Sequence, residues 1–438
     1  MRKKLLGVLA ASLFVLSPIA AAEVQINGFA SVVSGIDLED DGQSAYGSRT
    51  VDNLQQSKVA LQWTANLDQG MRFVGQTMAR GDATDGFSLN YDWAYFDFNI
   101  GDSGKLKLGR LRIPFYKYSD YLDVGYAYHW INPPASMYSL SFSNMDGIGY
   151  QQNIEAGGME HALNIAAGAY QGVLFLGGAP TDSKLENLVA INWSASIGEH
   201  EFYAAYAQAD VYVPATSTIS LSAVATLGGD DPNKVLINGD YGHFVGIGYK
   251  GSFGDISLFA EYSLVGVDDS IFSDSEGGYI GMSYIMDDYT YHITYGLTKS
   301  DEKTYAATTD TLDLGLVTTA QSIGAAAAAA STAAGNSATD AATAGLVATG
   351  TFLATAGAGD AAALSYASNS NLNSIAKSLG NGDSSTITLG VRKDIGTSTA
   401  LKLDLDLYTE DRVQTDQVGA ASEEMKATTI KFAIETMF

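Results

Sequence analysis

From Val24 onward the chain repeats one unit: a segment in which apolar and polar residues alternate, then a turn. A period of two is the mark of a strand with one apolar face. It is clearest near the C-terminus. In Leu401-Lys402-Leu403-Asp404-Leu405-Asp406-Leu407-Tyr408 the four leucines share one side, and Lys402, Asp404, Asp406 and Tyr408 share the other. In the last strand, Ala427 to Phe438, residues Thr428, Ile430, Phe432, Ile434, Thr436 and Phe438 lie on one face opposite Lys431 and Glu435. The repeat predicts sixteen strands, starting near Val24, Gln55, Met71, Ser88, Lys105, Gly147, His161, Asn187, Glu201, Tyr241, Asp255, Gly278, Tyr289, Ser385, Ala400 and Ala427. Short turns such as Gly101-Asp102-Ser103-Gly104, Ser252-Phe253-Gly254 and Asp287-Asp288 alternate with long connections.

Every strand has an apolar face and no helices are predicted to cover it, so lipid is the expected partner. The fold class is all-β: one transmembrane antiparallel barrel with an even strand number, short turns at one end and long loops at the other. Composition agrees. Mean hydropathy is +0.03, as expected where lipid-facing and lumen-facing residues alternate. Beyond the N-terminus no strongly apolar run is long enough for a helical span. Trp63, Trp93, Tyr95, Trp193, Tyr206, Tyr262, Tyr284, Tyr289, Tyr291 and Tyr295 cluster toward strand ends, as interfacial aromatic girdles would.

The first residues set the compartment. Arg2, Lys3 and Lys4 precede an apolar run, Leu5 to Leu16, and a small-residue stretch ending Ala20-Ala21-Ala22. This is the layout of a secretory signal peptide covering 1–22, with cleavage expected before Glu23 and the barrel occupying 23–438. The absence of cysteine excludes disulfides and thiol chemistry. The net charge is −25, and losing the leader would make it three units more acidic. Nucleic acid is therefore excluded as an expected partner. Acids grouped in the predicted loops, such as Asp268, Asp269, Asp274 and Glu276, make a cation preference the expectation.

Two connections are exceptional. Residues 112–146 do not alternate and hold three of the seven prolines and many tyrosines. A loop this long is usually functional. Gly28-Phe29-Ala30 near the expected mature start, a strand ending Gly109-Arg110-Leu111 and the long third loop together resemble the general bacterial porins. The block Arg110 to Pro134 resembles porin-like proteins of marine gammaproteobacteria. The Pro-Glu-Phe-Gly-Gly motif of enteric porins is missing from this loop. The resemblance implies a trimer, a lumen narrowed by the third loop, and passive diffusion of small hydrophilic solutes and ions. It also implies an outer-membrane location among lipid and lipopolysaccharide. A chain ending on Phe438 resembles the signal read by the barrel-assembly machinery.

The resemblance further implies loop acids facing a wall of bases. The loop acids are Asp120, Asp123 and Asp146. Strand alternation supplies the wall: Lys58, Arg72, Arg80, Arg392, Lys402 and Lys431 turn inward. Arg110 and Arg112 share the parity of Leu106 and Leu108, so a bulge or a loop start is needed to bring them in. An alternative function is a substrate-specific channel, for sugars or aromatic ring compounds, with Tyr116, Tyr118, Tyr121, Tyr126, Tyr128 and Trp130 stacking the solute. The other exceptional connection, 299–383, is Ala-rich and of low complexity, with Ala325 to Ala330 unbroken. It is read as an external cap with short helical pieces, or as a lumen plug. A structural or adhesive barrel is a third reading, resting on that loop.

The sequence carries no G-x-S-x-G elbow, P-loop or H-E-x-x-H spacing, so no enzyme, metal or cofactor is expected. A lipid hydrolase would need a histidine on the lipid face. His243 is the candidate, whereas His292 should face the lumen as a solvated residue.

Overall fold

The computed structural model describes residues 23–39, 46, 49–67, 70–81, 86–140, 142–176, 179–213, 237–268, 270, 272–301, 314–335, 340–341, 344–345, 347–348, 383–413 and 422–438. The expected leader, 1–22, lies outside the described residues, as does most of the long Ala-rich connection.

Sixteen strands close one antiparallel barrel in simple sequence order. They are β1 Val24–Asp37, β2 Ser57–Asn66, β3 Met71–Gly81, β4 Leu89–Ile100, β5 Gly104–Arg112, β6 Asn144–Ala156, β7 Met159–Leu176 and β8 Ala179–Ile197, followed by β9 His200–Tyr212, β10 Asn238–Phe253, β11 Ile256–Val267, β12 Asp274–Met286, β13 Tyr289–Asp301, β14 Asp383–Ile395, β15 Thr399–Val413 and β16 Ser422–Met437. The barrel closes by pairing β1 with β16, from Phe29 opposite Met437 to Asp37 opposite Thr429. Phe438 finishes the seam: its carbonyl accepts from Gly28 N–H at 2.7 Å, and its N–H donates to Gly28 O at 2.9 Å. Closure leaves no unpaired edge, which a bilayer requires of a sheet.

Parity explains the two faces. Along β15, Leu403 and Leu407 are exposed while Lys402 and Asp404 are buried inside. Along β16, Ile430, Phe432 and Ile434 point out and Lys431, Ala433 and Glu435 point in. At the short-turn end, glycines supply the left-handed conformation a tight reversal needs, as at Gly254 (φ 66°) and Gly396 (φ 67°). Strand β8 begins eight residues before the predicted start near Asn187. A register shift between Glu186 and Val189, with Asn187 at φ 50°, interrupts its alternation and hides the first part from a period-two reading.

The loop between β5 and β6, residues 113–143, folds into the barrel. It contains two 3-10 turns, Ser119–Tyr121 and Gly125–Ala127. In the other exceptional connection, one helix, α1 Leu314–Ala333, carries the alanine run. The sequence predicts short helical pieces there; among the described residues alanine's high helix propensity sustains the twenty-residue α1 despite Gly324, and 340–341, 344–345 and 347–348 are also helical. No described helix is long and apolar enough to cross a membrane.

Candidate functional site

The lumen is divided by the inward loop. On one side, small residues on the inner faces of β8 and β9 (Ala190, Ala205, Ala207 and Ala209) leave room for loop rings. Phe115 and Tyr116 pack on Phe244 of β10 with centroids 5.2 and 5.3 Å apart. Trp130 meets Phe259 edge-on at 5.0 Å and donates its indole N–H to Thr294 Oγ1 at 2.9 Å. Tyr138 and Tyr279 both donate to the buried Glu261 carboxylate, and Tyr203 donates to Phe115 O. Around these rings the loop and wall are closely packed.

Consequently Tyr116, Tyr118, Tyr128 and Trp130 are buried and offer no face to a passing solute. The sequence groups them as a stacking surface because loop tyrosines look alike before their packing is known. Tyr126 lies under the Arg392 guanidinium (4.6 Å) and donates to Thr397 O. Tyr121 is 40% exposed.

The loop tip is latched to the opposite wall by charge. Asp123 accepts from Arg112 at 2.9 Å and from Arg80 at 3.2 Å, with Lys58 Nζ at 3.7 Å. Burial opposes ionisation of Asp123, but Arg112, Arg80 and Lys58 outweigh it and hold its carboxyl below the usual carboxylate range. Arg80 also reaches Asp92 at 3.1 Å, and Arg112 approaches it at 3.8 Å. Asp92 is the extra residue of a bulge in β4: Gln76 pairs with Trp93 and Thr77 with Tyr91, leaving Asp92 between them and turned inward. Arg112 is the last residue of β5 and reaches inward at the loop start, one of the two devices its parity called for.

Further round, Lys402 forms a buried ion pair with Glu435 and donates to Gly125 O at 2.7 Å and to Trp130 O. Asp404 accepts from Ile131 N–H at 2.9 Å. Arg392 donates to the carbonyls of Tyr126 and Tyr128, each at 2.5 Å, and pairs with Asp394. Lys431 pairs with Asp406 at 2.6 Å. Arg72 pairs with Asp97 in the lumen. The predicted inward bases thus do face the lumen, but each is committed to an acid or to the loop backbone.

Arg110 and Asp146 depart from expectation. They pair with each other at 2.9 Å, both exposed, on the outward face that carries Leu108 (54% exposed) and Ile148 (46%). Asp146 is a residue of β6, not of the loop, and Arg110 keeps the outward parity of its strand. The β5–β6 register runs unbroken through this pair, so neither residue is turned in. Trp93 and Tyr95, predicted for the girdle, instead line the lumen, because the bulge at Asp92 inverts parity along β4. His292 faces the lumen but is buried, with Asp404 at 3.2 Å and the His129 ring at 4.8 Å. Burial, then the neighbouring His292, pushes His129 well below its ordinary value, so it is neutral. His243 keeps the outward parity of Tyr241 and Val245, with Asp268 Oδ1 at 4.0 Å, and among the described residues no serine hydroxyl bonds to it.

A cavity of about 260 Å³ lies between the loop and the wall of β2 and β4–β7. Asp120 borders it from the loop, and Lys107, Arg112, Trp93, Tyr95 and Gln62 border it from the wall. Among the described residues neither Asp120 nor Lys107 has an ion-pair partner. Lys107 lies 5.7 Å from the Tyr95 ring. The sequence reading missed it, although the parity that sends Leu106 and Leu108 outward sends Lys107 inward.

Comparison with known proteins bears on this arrangement. The outer membrane channel DcaP of Acinetobacter baumannii superposes with a TM-score of 0.54 at 13% identity, covering 96% of this chain and 98% of that one. OmpT of Vibrio cholerae, an outer membrane protein solved as a loop L8 deletion mutant, gives 0.51 at 10% identity, covering 95% and 100%. At these identities the likeness concerns the fold. No curated relative matches the chain. A Gram-negative porin family profile matches residues 7–317. With that match over most of a closed sixteen-stranded barrel whose loop narrows the lumen, the chain belongs to the Gram-negative porins, passive diffusion channels of the outer membrane.

Proposed function

We propose that small hydrophilic solutes pass on the β2–β7 side of the lumen, between Asp120 on the inward loop and Lys107 on the wall. The observation that carries this reading is the cavity bordered by both residues and by Arg112. Opposed charges without ion-pair partners across a narrow aqueous gap orient water and favour polar solutes. The other wall bases are matched in contact ion pairs, so they contribute little field. The ion preference then follows the acidic outer loops and the net charge of −25, which favour cations.

In this reading the mature chain starts at Glu23, works as a homotrimer among outer-membrane lipid and lipopolysaccharide, and carries no catalysis, metal or cofactor. Phe438 is the signal to the barrel-assembly machinery, and the 299–383 connection is an external cap. The test is single-channel current in a planar bilayer under a tenfold KCl gradient. Wild-type protein should show open steps with a cation-signed reversal potential. Lys107→Glu should strengthen that sign and Asp120→Lys should weaken it. Two variants with wild-type selectivity and conductance would place the passage elsewhere.

A further inference from the structure

Above the inward loop, at the long-loop end of the barrel, lies a second cavity of about 210 Å³. Its character differs from that of an aqueous channel. The floor is Phe115, Leu140 and Phe142 of the loop; the walls include Leu185 and Leu188 of β8 and Phe244 of β10. Phe115 meets Phe142 edge-on at 5.5 Å and Phe244 at 5.2 Å, so rings already surround the space on two sides. No Asp, Glu, Lys or Arg lines it. Of its polar residues, Ser139 on the loop is engaged with the Tyr116 hydroxyl, Gln208 is turned outward, where it accepts from Tyr206 at 3.0 Å, and His243 has outward parity.

Two physical arguments restrict the occupant. A trapped water needs two to four polar partners, and this lining has almost none to give. Water filling such an open apolar recess is poorly held, so an apolar group that displaces it gains free energy. An apolar cavity of about 150 Å³ is enough to hold benzene. The space here is larger, has aromatic edges and lacks any charged group to recognise an ion or a sugar.

We propose that this cavity is a binding site for a neutral single-ring aromatic molecule arriving from the outer face. The inference uses the inward position of loop 113–143 and does not depend on where ions pass.

The experiment is ¹⁹F NMR titration of fluorobenzene against the full chain in lipid nanodiscs, with empty nanodiscs subtracted. The wild type should show a saturable component at one site per chain. Ala209→Phe, which puts a ring into the space, should weaken binding at least tenfold. Ile247→Ala, on the lipid face (55% exposed), should leave it unchanged. Ala207→Leu provides the same test with a smaller change should Ala209→Phe fail to give a heat-modifiable barrel. Purely linear partitioning, or saturable binding equal in the filled and wild-type proteins, would overturn the proposal. Bilayer conductance of the same samples is read separately: lost fluorobenzene binding with normal conductance keeps this site distinct from the ion passage.

Discussion

Asp123 Oδ2 accepts a hydrogen bond from Arg112 Nη2 at 2.9 Å, and this contact joins the inward loop to the end of the strand that launches it. Because Arg80 and Lys58 share the same carboxylate, three wall bases are matched at one loop residue. The loop therefore rests against the basic wall there, instead of facing it across water.

Removing that charge should have two effects. Asp123→Asn leaves three bases facing one another with only Asp92 as counter-charge. Breaking a buried pair in this way costs about 3–5 kcal/mol, read as a lower midpoint in denaturant unfolding. In the bilayer, the reversal potential should move toward anions, since Lys58, Arg80 and Arg112 are released into the lumen. An unchanged potential with a lowered midpoint would mean that these bases do not face the permeating ions.

The same residue sets an acid limit. The folded carboxyl lies below its unfolded value of about 3.9. Its stabilisation is complete above that value and is lost as pH falls through the lower folded one. Stability should therefore show no loss from this group between about pH 7 and pH 5, and an acid-side decline in the wild type that is smaller in Asp123→Asn. Parallel pH curves for the two proteins would remove Asp123 as the cause.

Two aromatic residues of the loop should behave oppositely. Trp130 is 1% exposed, packs on Phe259 and Tyr279, and satisfies its N–H at Thr294. Trp130→Ala should cost about 3–5 kcal/mol and raise current noise by loosening the loop. Tyr121→Ala, at an exposed position, should stay within about 0.5 kcal/mol. Denaturant titration and single-channel recordings check both.

Ion pairs inside and outside the barrel should also separate. Lys402→Met leaves Glu435 buried without its partner and takes a donor from Gly125 O and Trp130 O, at a cost of about 3–5 kcal/mol. Arg110→Ala breaks a pair on the outward face, away from the lumen, and should leave ion selectivity untouched. A selectivity change in Arg110→Ala would show that the outward face communicates with the passage.

By itself, the sequence determined the barrel. Strict alternation along β15 and β16 specifies which side meets lipid, since a shift of one residue would put Lys402 and Glu435 into hydrocarbon. That rule also turns Lys58, Arg72, Arg80, Arg392, Lys402 and Lys431 inward, since each sits in a period-two run. Only the tertiary structure decided the constriction. Arg112 and Arg110 are two residues apart with equal parity, yet the strand end at Arg112 lets it reach inward to Asp123 and leaves Arg110 out. Six loop aromatics are indistinguishable in sequence, but partners as distant as Phe244, Phe259, Tyr279 and Thr294 take part in burying four of them. Alternation is a local property of consecutive residues; where a non-alternating loop comes to rest depends on partners distant in the chain, which no single segment encodes.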